Sequence, residues 1–182
     1  MKKAVVLIVL LLLVCPLATA QTGVKLGVGV FGGLDAPVGQ DDQAQGTVFG
    51  FRGRLKALPI ITLEPKIAFT SFGEPESDIL TLNLDGSKVT AYGIDATLGA
   101  PFGGKGFSMF AVVGAGFYNV KRDQTDQDET NLGWSAGLGF NIGFTPLISA
   151  DVRGVAHVIP YDDGGSKKSV TATIGVNYNF GM

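Results

Sequence analysis

From Val170 to Phe180 the chain alternates without a break. Val170, Ala172, Ile174, Val176, Tyr178 and Phe180 are apolar, while Thr171, Thr173, Gly175, Asn177 and Asn179 are small or polar. A period of two is the mark of a β-strand, because successive side chains point to opposite faces. Such a strand separates two environments, one of which takes aromatic side chains at the end of the chain.

The same alternation recurs along the sequence. Eight segments carry it, at roughly 23–33, 47–57, 61–72, 88–99, 107–120, 133–143, 147–158 and 169–180. Each has about the length of a membrane-spanning strand, ~9–11 residues, or slightly more. No convincing helical period separates them, so the expected class is all-β. The connections are of two kinds. The first, third, fifth and seventh are long and polar ("GLDAPVGQDDQAQG", "GEPESDILTLNLDGS", "KRDQTDQDETNL", "IPYDDGGSKKS"), and the others are short ("LPI", "APFGGKG", "FTP"). Thirteen of the sixteen acidic residues fall in the long set; only Glu64, Asp95 and Asp151 lie in strands. Long connections at one end and short turns at the other suit an up-and-down barrel. Residues 79–86 admit two readings: an extension of the fourth strand, or an extra hairpin turning at Asp85-Gly86.

The first twenty residues read differently. Lys2 and Lys3 precede an apolar run, and Ala18-Thr19-Ala20 precedes Gln21, the pattern of a secretory signal peptide cleaved after Ala20. The run from Ala4 to Val14 is short against the ~20 residues of a spanning helix. Residues 21–182 then form one domain. The single cysteine, Cys15, leaves with the signal, so stability must come from something other than disulfides. Loss of the two lysines takes the formal charge from −2 to −4, which excludes a nucleic-acid footprint.

The faces can be sorted by parity. Phe49, Phe51 and Leu55 share one face of the second segment; Ile61, Leu63, Ile67 and Phe69 of the third; Trp134, Leu138, Phe140 and Ile142 of the sixth. The fifth segment is apolar on both faces. Opposite the apolar faces lie glycines and nine charges: Lys25, Arg52, Arg54, Lys56, Glu64, Lys66, Asp95, Asp151 and Arg153. Two architectures fit. A soluble lipocalin-like, lipid-binding barrel would point the charges outward, and a membrane barrel would point them into its lumen. The second is favoured, because the sixth and eighth segments carry no charge at all, whereas a water-facing surface is about a quarter charged or more. The turn at Leu58-Pro59-Ile60 would set Arg54 opposite Glu64 and Arg52 opposite Lys66. Pro65 should require a bulge. Two aromatic girdles are expected, one from Phe31, Phe49, Phe72, Tyr118 and Trp134, the other from Phe102, Phe107, Phe144, Tyr178 and Phe180. Six inward basic residues against three acidic ones would bias a narrow pore towards anions, but eight strands leave an interior that side chains fill.

With these features the chain resembles the outer-membrane β-barrel domain family, the small eight-stranded barrels of the OmpA/OmpX type. Thr173, Gly175, Tyr178 and Phe180 are similar to that family's C-terminal assembly signal, although Gly181 and Met182 follow where the family usually stops. The resemblance implies an eight-stranded antiparallel transmembrane barrel in the outer membrane of a Gram-negative envelope, with both termini periplasmic. It also implies contact with outer-membrane lipids and lipopolysaccharide, and recognition of the last strand by the barrel-assembly machinery. A non-enzymatic structural or surface-interaction role through acidic loops is the expectation, without cofactor or metal.

Other candidate sites are weaker. "GVGVFG" at 27–32 matches a dinucleotide pattern but precedes no helix. The acids Asp123, Asp126, Asp128 and Glu129 lack EF-hand spacing. His157, the only histidine, shares a strand face with Ser149 and Asp151. The distance of six to eight residues is ~20 Å or more along a strand, too far for a catalytic set. A lipid-modifying enzyme would therefore need partners from neighbouring strands.

Overall fold

The computed structural model describes residues 25–38, 44–72, 87–99, 105–122, 125–160 and 165–180. They form eight strands and no helix: β1 (Lys25–Pro37), β2 (Gly46–Leu58), β3 (Ile61–Phe72), β4 (Ser87–Gly99), β5 (Gly106–Arg122), β6 (Thr125–Gly143), β7 (Ile148–Pro160) and β8 (Ser166–Phe180). Each pairs antiparallel with its neighbours in sequence, and β8 returns to β1 to close the barrel. The closing seam runs from Leu26 beside Phe180 to Pro37 beside Ser169. Closure removes every free sheet edge, so each strand has two backbone partners.

The apolar faces read from the sequence point outward. Leu138 and Ile174 are 63% and 65% exposed, and Phe51, Trp134, Phe140 and Val152 also lie on the outer wall. The charges point inward: Arg54 is 2% exposed and Glu64 is fully buried. A lipocalin-like arrangement is thereby overturned. An apolar wall running round the whole barrel far exceeds the few hundred Å² that water tolerates, and is suited to hydrocarbon.

Several expectations change in detail. Much of the fifth connection is strand, since β5 continues to Arg122 and β6 begins at Thr125, with Lys121 in register with Asp128 and Asn119 with Thr130. Polar residues above an apolar band still pair as strands, because the ladder is a backbone property and both faces are wet there. By the same logic Gly33–Pro37, Ile159–Pro160 and Ser166–Lys168 are strand rather than connection. The question over 79–86 lies outside the described residues, as do the leader and Phe102.

Pro65 needs no bulge. It stays in register with Ile94 on β4, and on the β2 side Gly53 leaves room, where a Cβ would sit 3.3 Å from the proline ring. The irregularity in this hairpin falls instead between Lys56 and Leu58, next to the tight turn. The girdle at the long-connection end is also partly redrawn. Phe49 and Trp134 are outward, but Phe31, Phe72 and Tyr118 are buried inside. At the other end Phe107, Phe144, Tyr178 and Phe180 do face outward. For β5 the inward set is Phe110, Val112, Tyr118 and Val120.

Candidate functional site

The lumen is built in layers, and its middle layer is ionic. Arg52 and Arg54 come from β2, Glu64 from β3, Asp151 and Arg153 from β7. Arg52 Nη2 donates to Asp151 Oδ2 at 2.6 Å, and Arg153 Nε donates to Asp151 Oδ1 at 2.9 Å. Arg153 Nη1 reaches Glu64 Oε2 at 2.5 Å, while Arg54 Nε bonds Glu64 Oε1 at 3.0 Å. Two asparagines of β8 finish the chain: Asn177 accepts from Arg52 Nε at 3.1 Å, and Asn179 from Arg54 Nη1 at 3.0 Å. Strands β3 and β7 are four places apart in an eight-strand ring, so the Arg153–Glu64 pair crosses the full bore. Both carboxylates are shared between two guanidinium groups, which compensates charges taken out of water.

The surrounding backbone is shaped for this. A Cβ on Gly29 would lie 3.1 Å from Arg52 Nε, and one on Gly175 would collide with the Arg52 guanidinium. Glycines on the inner face thus make the room that arginines occupy. Arg52 also stacks on Phe31, its Cζ 5.3 Å from the ring centroid, and Arg153 on Phe110 at 5.0 Å.

The sequence-level positions are not all brought together. Arg52 is directly beside Lys66 across β2 and β3, as the turn geometry implied. Lys66 takes part in a separate pair, donating to Asp95 Oδ2 at 2.8 Å, and Ser135 bonds the other oxygen of Asp95. Lys25 and Lys56 are cross-strand neighbours at the short-turn end, half-buried and apart from the ionic layer. In β8, Thr173 is inward, whereas Tyr178 and Phe180 face outward with ring centroids 5.0 Å apart.

Towards the long-connection end the lumen changes character. Phe31, Val48, Phe72, Val89, Tyr118 and Ile159 form a buried apolar cluster, above which Asp35, Lys167 and Ser169 are also buried. Sequence reading placed Asp35 and Lys167 in connections and so missed them. Continuing the inward parity of β1 from Phe31 through Gly33, and of β8 back from Thr171, would have found both.

His157 stands in this upper region with both ring nitrogens engaged. Thr171 Oγ1 donates to the Val155 carbonyl at 3.2 Å, so it accepts from His157 Nε2 at 3.1 Å. The Tyr118 hydroxyl, 3.0 Å away, then donates to Nδ1. Ser149 is fully buried elsewhere, and Asp151 belongs to the ionic layer. Strand residues therefore occupy both sites through which a general base would act.

The profile of the family described as outer membrane protein beta-barrel domain matches residues 5–180. The chain belongs to this family. As an outer membrane barrel domain it resides in the outer membrane of a Gram-negative envelope, with its strands crossing the bilayer and its apolar wall against lipid. It resembles Neisserial surface protein A, with 13% identity and a TM-score of 0.66 over 87% of this chain and 98% of that one. The N-terminal β-barrel domain of Pseudomonas aeruginosa OprF matches with 15% identity and a TM-score of 0.57, over 86% and 97% of the two chains. OprG, an outer membrane protein of Pseudomonas aeruginosa, matches with 14% identity and a TM-score of 0.52, over 88% and 97%. At such identities the likeness is one of fold. No curated protein matches the chain.

Proposed function

We propose that this barrel is a non-enzymatic component of the outer membrane, structural or engaged in surface interaction through its acidic long connections, with its lumen plugged by its own side chains. One observation carries the reading: the run of hydrogen-bonded charges from Arg52 through Asp151, Arg153 and Glu64 to Arg54 bridges opposite walls of the barrel. The engagement of both nitrogens of His157 supports a non-catalytic role. In this reading residues 1–20 are a leader removed on export, and both termini lie in the periplasm. Thr173, Gly175, Tyr178 and Phe180 serve as the assembly signal, and the outer wall meets lipid and lipopolysaccharide.

The test is conductance in planar bilayers. The wild-type barrel is expected to show no discrete openings, and the Arg52→Ala/Arg153→Ala double variant to show small ones. Stable open steps from the wild type would defeat the plug, leaving a narrow pore as the working alternative.

A further inference from the structure

Above the ionic layer the lumen holds a partly open cavity of about 60 Å³, whose lining includes Phe31, Asp35, Val48, Phe72, Tyr118 and Ile159. One buried water takes ~10–15 Å³ of such space, so several heavy atoms fit. The polar groups around it are unevenly satisfied. Asp35 is 5% exposed and accepts a bond from Ser169, yet its Oδ1 receives no hydrogen bond from the protein. A buried carboxylate oxygen is an acceptor only, and leaving it unmatched is costly.

The charges around the cavity are largely paired among themselves. Arg52, Lys66, Arg153 and Lys167 line it together with Asp35, Glu64 and Asp95, and Asp151 beneath bonds both Arg52 and Arg153. Most of these charges are already engaged with one another: Arg52 and Arg153 with Asp151, Arg153 and Arg54 with Glu64, and Lys66 with Asp95. Lys167 already covers the Phe72 face, its Nζ 4.3 Å from the ring centroid. A charged ligand would have to compete with these ion pairs, whereas an uncharged donor would meet the waiting acceptor on Asp35.

We propose that the outer half of the lumen is a binding cup for a small uncharged molecule that joins an apolar body to one hydroxyl or amide donor. The donor bonds Asp35 Oδ1, and the body lies against Phe31, Tyr118 and Val48. The ionic layer forms the floor, so the cup holds its ligand rather than passing it through. The site goes beyond the structural reading above, and binding and conductance are measured separately, so one can fail without the other.

The experiment titrates 1-butanol against the barrel in lipid nanodiscs, following methyl NMR shifts of Val48, Val89 and Ile159. The wild type should shift saturably. Asp35→Leu should weaken binding about tenfold, the loss of one hydrogen bond to a charged acceptor. Ala91→Phe, which fills the space beside Ala68, should abolish it; Ala68→Phe does the same from the neighbouring strand if the first variant fails to fold. Linear, unsaturating shifts of equal size in all variants would mean partition into the bilayer and would overturn the cup. Saturation unchanged by Asp35→Leu would overturn the assigned ligand class.

Discussion

Glu64 holds two arginines at once, Arg54 through one oxygen and Arg153 through the other, with no exposure to solvent. Removing it leaves two buried guanidinium groups facing a common gap. Glu64→Ala should therefore cost about 3–5 kcal/mol, the penalty for breaking a buried ion pair from one side. Urea unfolding in lipid vesicles, read by gel mobility, would check this; a loss under 1 kcal/mol would show that the network contributes little. Tyr118 poses a smaller version of the same problem, because its hydroxyl is the donor to His157 Nδ1. Tyr118→Phe should cost about 1–3 kcal/mol by orphaning that nitrogen, in the same assay. Parity alone sorted Arg54, Glu64, Arg153 and His157 onto the inner face, but not Tyr118, which was expected in the outer girdle. It could not name Asp151 as the partner of Arg52, since that pair joins strands three places apart round the ring. Sequence spacing predicts neighbours along a strand and across a hairpin, whereas contacts across the bore need the closed curvature.

At the scale of elements, all eight strands were readable because each spans the apolar band with one uninterrupted apolar face. Their outer ends were not. β5 and β6 run on through Lys121 and Asp128, where no apolar period marks the strand and cross-strand pairing alone maintains it. Asp35 was misplaced for the same reason, and with it the upper half of the lumen. Pro65 was misjudged because the residue that accommodates it, Gly53, belongs to another strand. The last strand makes a separable prediction. Tyr178 and Phe180 meet edge-on on the exposed outer wall, on the face opposite the ionic layer. If they serve recognition, Phe180→Ala should lower the amount of folded barrel in the outer membrane severalfold in cells, while spontaneous refolding into lipid vesicles proceeds as in the wild type. Equal impairment of both would assign Phe180 to packing instead.

For the whole molecule, the inverted arrangement of polar inside and apolar outside can be read from a single reporter. Trp134 is the only tryptophan and stands 56% exposed on the outer wall. Its fluorescence should be blue-shifted in vesicles and quenched by brominated acyl chains, most strongly by those brominated near the carbonyl end, as befits an interfacial position. Quenching by aqueous iodide instead would contradict the membrane placement. The seam has a further consequence, in time rather than space. Leu26 pairs with Phe180, so the ring shuts only when the far end of the chain has arrived. Contacts of such separation form slowly. Until then every strand travels with its apolar face uncovered through water, in a compartment where any two such faces can stick. For a barrel closed this way, any escort that kept the unfolded chain apart from its copies during that interval would raise the share that folds.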